Sequence, residues 1–219
     1  MPRSATDPGP RSATAFWPAL ACAGLVVFLA AALALHLLRP DLDPVASPMS
    51  LYLVGPWGWL LRAAYVALSV AMVGLSWDAW RGAGPAARSA APLPMFVLAG
   101  LSTTAYAWMD LPGAGPSLEG LVHGISAQGA FLFAATAMVL QAMALRRVPR
   151  WRAHARWLLP WALACFAAIW VLALWRELPR GLAQMAVIAL IVGWLAAVVA
   201  LRLADQRRGP QPGRVRATG

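Results

Sequence analysis

Long apolar runs separated by short polar segments dominate the chain. A helix needs about 20 consecutive apolar residues to cross the hydrocarbon core of a membrane. Six runs reach or approach that length, at residues 16–38, 57–77, 93–109, 121–145, 157–175 and 182–203. The third run is the shortest and carries Thr103, Thr104 and Tyr106. The pattern predicts an all-α protein, a polytopic bundle of six transmembrane helices.

Arginine is concentrated in alternate segments between these runs, and this distribution predicts the orientation. The arginine-rich segments are the N-terminus, the second and fourth connections and the C-terminus, whereas the other three connections are acidic or nearly neutral. Cytoplasmic segments of membrane proteins carry an excess of basic residues, so both termini are expected in the cytoplasm. The predicted domains are a flexible N-terminus (residues 1–15), the transmembrane domain (residues 16–203) and a disordered basic C-terminal tail (residues 204–219).

Composition supports a membrane protein and argues against one that binds nucleic acid. The 219 residues are 61% hydrophobic and 12% charged, whereas soluble domains carry about 25% charged residues. The formal net charge is +10, and arginine supplies all 18 of the Lys and Arg residues. Because these arginines lie mainly in connections and tails, membrane topology accounts for them. The expected partners are therefore membrane lipids and other membrane-protein subunits, with no nucleic acid.

The first connection, HLLRPDLDPVASPMSLYLVGPWGW at residues 36–59, holds more chemistry than a bare turn requires. Pro40, Pro44 and Pro48 prevent a helix and favour extended or turned backbone. The aspartates between these prolines can cap turns. The segment therefore predicts a stiff extracytoplasmic lid, which would hold Tyr52 and the aspartates over the polar ends of the helices.

Polar side chains gather near the same end of the second and third predicted helices. Arg62 is the one charge clearly inside a predicted span, and by helical spacing it shares a face with Tyr65 and Ser69. Tyr106 and Asp110 form a similar polar face at the end of the third helix. Polar groups inside a membrane are costly, so such faces indicate either a functional site or a network that packs helices.

The fourth predicted helix adds two more polar groups at this end. Glu119 and His123 are four residues apart and therefore face the same way. His36, at the end of the first run, lies at a similar depth. The ligand-binding residues predicted on these grounds are His36, Arg39, Asp41, Asp43, Tyr52, Arg62, Asp110, Glu119 and His123.

Three kinds of site are compatible with these residues. The leading hypothesis is a polar pocket for a lipid headgroup or small molecule, in a binding protein or an accessory subunit of a larger complex. The second is a metal-dependent hydrolase acting on lipid at the outer leaflet, centred on Asp110 and His123, since a hydrolytic metal needs about three protein ligands and an open position. The third is an electron-transfer protein whose b-type haem is held by His36 and His123. The residues alone do not identify a cofactor or decide whether the protein is an enzyme.

Two blocks of residues resemble a known family. The first block begins at His36 with the pattern HxxRPDxDP and continues with SxY and GxxGW. The second consists of Asp110 and the pattern EGxVH, which begins at Glu119. Both are similar to blocks of the six-helix bacterial membrane family catalogued as domain of unknown function 998, and the resemblance extends over about residues 16–203. It implies a multi-pass protein of the bacterial cytoplasmic membrane and carries no established reaction.

Overall fold

The computed structural model describes residues 11–83, 88–108 and 117–208. Six α-helices account for most of them: α1 (Arg11–Leu38), α2 (Gly58–Gly82), α3 (Pro92–Trp108), α4 (Leu118–Leu145), α5 (Arg152–Leu174) and α6 (Arg180–Arg208). Two short 3-10 helices, Met49–Leu53 and Pro149–Trp151, lie in the connections. The described ranges contain helices and no strand, which confirms the predicted all-α fold class.

The helices follow the apolar runs of the sequence. Five of the described helices, all except α3, are long and apolar enough to cross a membrane. Helix α3 has 17 residues, in keeping with the shortest run. Helix α6 continues to Arg208, past the predicted boundary at residue 203, so the first residues of the predicted disordered tail are helical. The rest of that tail, and residues 1–10, lie outside the described residues.

The six helices pack as a closed ring in chain order. Each helix packs against the next one along the chain, and α6 packs against α1 to close the ring. Short connections between neighbouring helices favour this arrangement. We refer to the end of the bundle that carries residues 39–57 as the loop end. The opposite end, which carries residues 146–151, is the arginine end.

Close backbone approach and interhelical hydrogen bonds hold the ring together between its ends. At Gly24 a Cβ atom would lie 2.6 Å from the carbonyl oxygen of Ala67, so glycine is what lets α1 approach α2 this closely. The Ser69 hydroxyl lies 3.0 Å from the carbonyl oxygen of Gly100, and the Thr104 hydroxyl lies 3.2 Å from the Ser69 hydroxyl. The polar faces predicted on the second and third helices therefore meet at the α2–α3 contact.

A buried ion pair joins α2 to α6 at the arginine end. Arg202 donates from Nε to Oδ2 of Asp78 at 2.6 Å and from Nη2 to the carbonyl oxygen of Asp78 at 3.1 Å, and Nη2 lies 2.5 Å from Oδ2. Both side chains are less than one tenth exposed, and the guanidinium lies 5.6 Å from the ring centroid of Trp151. The prediction that Arg62 is the one charge clearly inside a span is therefore wrong. Helix α2 continues past residue 77 and buries Asp78, and its partner Arg202 lies at the end of the sixth predicted run.

The loop of residues 39–57 is fastened to the start of α6. The amide of Leu182 donates to the carbonyl oxygen of Val45 at 3.0 Å. The amide of Met49 donates to the side-chain oxygen of Gln184 at 2.7 Å. The 3-10 helix within the loop also packs against both α2 and α6. The loop therefore lies over the loop end of the ring, in the place that the sequence predicted for a lid.

Candidate ligand-binding site

A cavity lies on the axis of the ring. Its volume is about 50 Å³, which is room for about three or four water molecules or a slender apolar group. Five helices line it, all except α5, and apolar side chains such as Phe28, Met72 and Phe131 form most of its wall. The polar side chains of the wall belong to Tyr65, Thr103, Tyr106 and Gln184. Ligand sites in proteins commonly combine apolar walls with a few polar groups in this way.

Three rings lead from this cavity towards the loop end of α4. The ring centroids of Tyr65 and Tyr106 are 5.5 Å apart, and those of Tyr106 and His123 are 4.3 Å apart. Tyr106 is 5% exposed, and its hydroxyl has no hydrogen-bond partner among the described residues. The Nδ1 atom of the buried His123 also lacks one in the described part of the chain. Buried polar atoms are seldom left unpaired, so these two atoms have hydrogen-bonding capacity that the described residues do not use.

His36 and Tyr52, both in the predicted set, lie together at the loop end. Their ring centroids are 5.2 Å apart. Burial raises the pKa of Tyr52, against the opposing effect of the Arg39 charge, so the phenol is neutral at physiological pH. Nδ1 of His36 lies 2.6 Å from the carbonyl oxygen of Ala32, and Nε2 lies 3.1 Å from the sulfur of Met185. Both ring nitrogens therefore face groups of the protein itself.

The charged residues of the loop are engaged within the loop. Arg39 and Asp41 form an ion pair at 2.7 Å, and Arg39 also donates to the carbonyl oxygen of Val54. Their hydrogen bond raises the pKa of Arg39 and lowers the pKa of Asp41. Asp43 accepts a hydrogen bond of 2.9 Å from the amide of Val45. Both aspartates are exposed, so their role in this structure is to shape the loop.

The remaining predicted residues are spread around the same end. Arg62 is half-buried on α2, and Glu119 is exposed in the first turn of α4. Asp110 lies outside the described residues. Within the described ranges, no three His, Cys, Asp or Glu side chains come together as a metal site. The structure therefore brings two pairs of the predicted set together, His36 with Tyr52 and Arg39 with Asp41, and it places His123 against Tyr106.

A second and larger space, the side crevice, opens between α4, α5 and the start of α6. Its volume is about 390 Å³. Arg176 and Arg180 contribute the charges of its wall, and α5 contributes mainly apolar side chains. Ala127, Phe131 and Gln184 line both the side crevice and the axial cavity. These three residues form the partition between the two spaces.

Comparison with family models matches residues 22–201 to the family described as a protein of unknown function, DUF998. The chain belongs to the DUF998 family. The match includes residues of all six helices and confirms the resemblance seen in the sequence. Neither the curated proteins nor the solved structures yield a match.

Several residues that line the two spaces of this DUF998 protein are absent from the predicted set. Gln184 is the one amide in the last apolar run, and Arg180 precedes it by four residues, so the two share a helix face. That spacing was an available signal. Tyr65 and Tyr106 belonged to predicted polar faces, although not to the ligand-binding set. Phe131 carried no signal, because an aromatic residue in an apolar run is typical of core packing.

Proposed function

We propose that this DUF998 protein is an integral membrane protein that binds one amphiphilic molecule, a lipid or a small lipid-like compound, part of which lies in its axial cavity. The observation that carries the proposal is the Tyr106 hydroxyl, which is buried and lacks a hydrogen-bond partner among the described residues, in the wall of a mostly apolar cavity. The apolar part of the ligand lies along the ring axis. A polar group of the ligand, such as an ester, hydrogen-bonds to Tyr106.

The surroundings of Tyr106 support a polar group at this position. The side chains of Ser50, Tyr65 and Gln184 lie near its hydroxyl, outside the geometry of a hydrogen bond. A hydroxyl, ester or amide of the ligand can therefore form more than one hydrogen bond here. The arginine distribution places the loop end on the extracytoplasmic side. The ligand's polar part then lies in the outer half of the membrane, beneath the loop.

The two other hypotheses from the sequence have weaker support. A hydrolytic metal needs about three protein ligands; Asp110, at the centre of that hypothesis, lies outside the described residues, and the described residues alone do not bring three ligands together. A haem iron held by His36 needs a free ring nitrogen, whereas both nitrogens of His36 face Ala32 and Met185. Binding of an amphiphile needs only the cavity and hydroxyl that the described residues contain.

Native mass spectrometry of the full chain, extracted gently from its own membrane, tests the proposal. We expect one retained small molecule per chain. The Ala130→Phe variant places a phenyl ring in the cavity wall and is expected to lose that molecule. The Ala167→Phe variant adds the same ring at an exposed position of α5 and is expected to retain it.

Two outcomes would overturn the proposal. One is a wild-type chain that carries no small molecule, and the other is an Ala130→Phe variant that retains it as the wild type does. Size-exclusion chromatography of each variant shows whether the bundle has folded. If Ala130→Phe does not fold, Tyr106→Phe removes the polar contact with a smaller change in volume and should also reduce the retained fraction.

A further inference from the structure

The side crevice differs from the axial cavity in its charge. Both charged side chains of its wall are arginines, Arg176 and Arg180, and the described wall contains no acidic residue. Glu177, between them in sequence, is exposed and does not line the crevice. The crevice therefore offers positive charge at the loop end of an apolar bundle, which is complementary to an anion.

Arg180 is held in position by the backbone. Its Nη1 atom donates to the carbonyl oxygen of Leu172 at 2.6 Å, near the end of α5. Arg180 is half-buried, whereas Arg176 is exposed. A guanidinium carries five N–H donors, so a group fixed through one of them still has donors for a phosphate. One arginine is thus fixed in the wall and the other is free to adjust.

The inner side of the crevice is suited to an acyl chain. Ala127 and Phe131 of α4 form part of the partition, so their apolar side chains face both the crevice and the axial cavity. The crevice also has apolar residues of α5, such as Ile169, in its wall. A molecule with a charged head and an apolar chain matches this change from arginine to hydrocarbon. A free inorganic anion would use only the arginines.

We infer that the side crevice binds the phosphate headgroup of an anionic phospholipid, with Arg176 and Arg180 contacting the phosphate and an acyl chain directed towards Phe131. This inference rests on the proposed function, because it identifies the class of amphiphile whose chain reaches the axial cavity. It also predicts a preference for anionic over neutral lipids, which the axial cavity alone does not produce.

The test is lipid binding by the full chain, measured by native mass spectrometry after reconstitution in vesicles of equal parts phosphatidylglycerol and phosphatidylcholine. We expect the wild type to retain more phosphatidylglycerol than phosphatidylcholine. Loss of charge-assisted hydrogen bonds in the Arg176→Gln/Arg180→Gln variant should reduce that preference about tenfold or more. The Arg146→Gln/Arg147→Gln variant removes the same charge from exposed positions at the arginine end and should keep it.

A further variant and a soluble competitor show which feature of the lipid the crevice recognises. Arg180→Lys keeps the charge but not the fork of donors, so it should bind phosphatidylglycerol with intermediate preference. Glycerol phosphate, a soluble headgroup without acyl chains, should compete poorly if the chain contributes. Effective competition by glycerol phosphate would show a site for a free anion and overturn the lipid assignment.

The two proposals fail in different ways. If the wild type retains both lipids equally, or the two double variants behave alike, the side crevice has no selectivity for an anionic lipid. The proposed function would then stand as long as Ala130→Phe still abolishes retention. If Ala130→Phe has no effect while the arginine variants reduce binding, the crevice binds lipid independently of the axial cavity.

Discussion

The two ends of the bundle hold their charged and polar groups in different ways. At the arginine end, Asp78 and Arg202 form a buried ion pair between helices that are distant in sequence, with Trp151 against the guanidinium. At the loop end, Arg39 pairs with Asp41 two residues away, and the Asp41 side chain is 59% exposed. Both ends contain buried polar atoms that have no hydrogen-bond partner among the described residues, but those of Ser76 and Trp151 at the arginine end line neither space, whereas the Tyr106 hydroxyl at the loop end lies in the wall of the axial cavity.

Under the proposed function, this difference assigns the arginine end to stability and the loop end to binding. A satisfied buried pair penalises any movement that separates its members, so it fixes α2 against α6. Buried polar atoms without partners cost stability, and folded proteins commonly tolerate such a cost at functional sites. Both the axial cavity's polar wall and the side crevice have their polar groups towards the loop end. We therefore expect substitutions at the arginine end to affect mainly stability, and those at the loop end mainly binding.

The largest expected effect comes from breaking the buried pair. Arg202→Gln leaves the Asp78 carboxylate buried without its partner, and such a change typically costs about 3–5 kcal/mol of unfolding free energy. Arg150→Gln breaks the ion pair between Arg150, whose side chain is 53% exposed, and Asp205, whose side chain is 33% exposed. It should lower the free energy of unfolding by no more than about 1 kcal/mol. Denaturant unfolding in mixed micelles, followed by circular dichroism, measures both. Equal losses of stability in the two variants would contradict the claim that the buried pair fixes α2 against α6.

Whether the partner charges act together can be measured in the same assay. Each single variant leaves one buried charge without its partner. The Asp78→Asn/Arg202→Gln double variant leaves two neutral polar groups instead. Its loss of stability should therefore be smaller than the sum of the two single losses. Additive losses would mean that the two side chains act independently, despite the 2.5 Å between Nη2 and the carboxylate.

The sequence predicted the helices well because hydrophobicity and length decide them. It missed the Asp78–Arg202 pair for a physical reason: which charges near helix ends become buried depends on how far the helices continue and which helices are neighbours. The closure of the ring brings α6 next to α1, and no local pattern of residues contains that information. The predicted boundary at residue 77 placed Asp78 in a loop, where a carboxylate needs no explanation.

The site was less predictable than the fold. Charged residues of the loop were selected because charge near a membrane is conspicuous, yet Arg39 and Asp41 bind each other. The cavity instead uses Tyr106 and Gln184, whose polar atoms are easily overlooked within apolar runs. Convergence of side chains from five helices depends on the rotation of each helix about its axis, which a single sequence constrains only weakly.

The next largest effect concerns the contact between the loop of residues 39–57 and the start of α6. A Cβ atom at Gly181 would overlap the carbonyl oxygens of Pro44 and Ser47, the latter at 2.5 Å. Gly181→Ala should therefore lift the loop or strain the start of α6, at a cost of about 1–3 kcal/mol. Gly124→Ala is the control, since a Cβ there meets nothing within 4 Å and should be neutral or stabilising by up to about 1 kcal/mol.

Hydrogen–deuterium exchange locates that effect. Gly181→Ala should increase exchange in the peptide that covers residues 39–57 and leave the arginine end unchanged. If exchange in the loop is the same in both glycine variants, the loop is not held by its contact with α6. Faster exchange at the arginine end would show that the two ends are coupled and do not have separate roles.

A smaller effect distinguishes a buried hydroxyl that forms hydrogen bonds from one that has no hydrogen-bond partner among the described residues. Ser69→Ala removes a hydroxyl that bonds to the backbone of α2 and α3, and such bonds in membrane proteins contribute about 0.6 kcal/mol on average. Tyr106→Phe removes a buried hydroxyl that has no partner among the described residues, so stability should stay the same or rise slightly. Ligand retention should show the opposite order, with the larger loss in Tyr106→Phe. A destabilised Tyr106→Phe with unchanged retention would assign this hydroxyl to packing.

The smallest expected effect is a response of the loop to acid. The hydrogen bond from Arg39 lowers the pKa of Asp41 below its ordinary value, so the ionised carboxylate is favoured in the folded loop. The resulting stability is present above the unfolded pKa and is lost as the pH falls through the lowered folded pKa, below about pH 4. The Asp41 side chain is 59% exposed, so the effect is local and screened by salt. Hydrogen–deuterium exchange of residues 39–57, corrected for intrinsic rates, should rise between about pH 6 and about pH 3 in the wild type. The Asp41→Asn variant should show raised exchange at both pH values and no such step, and a step that survives in this variant would assign the acid response to another group.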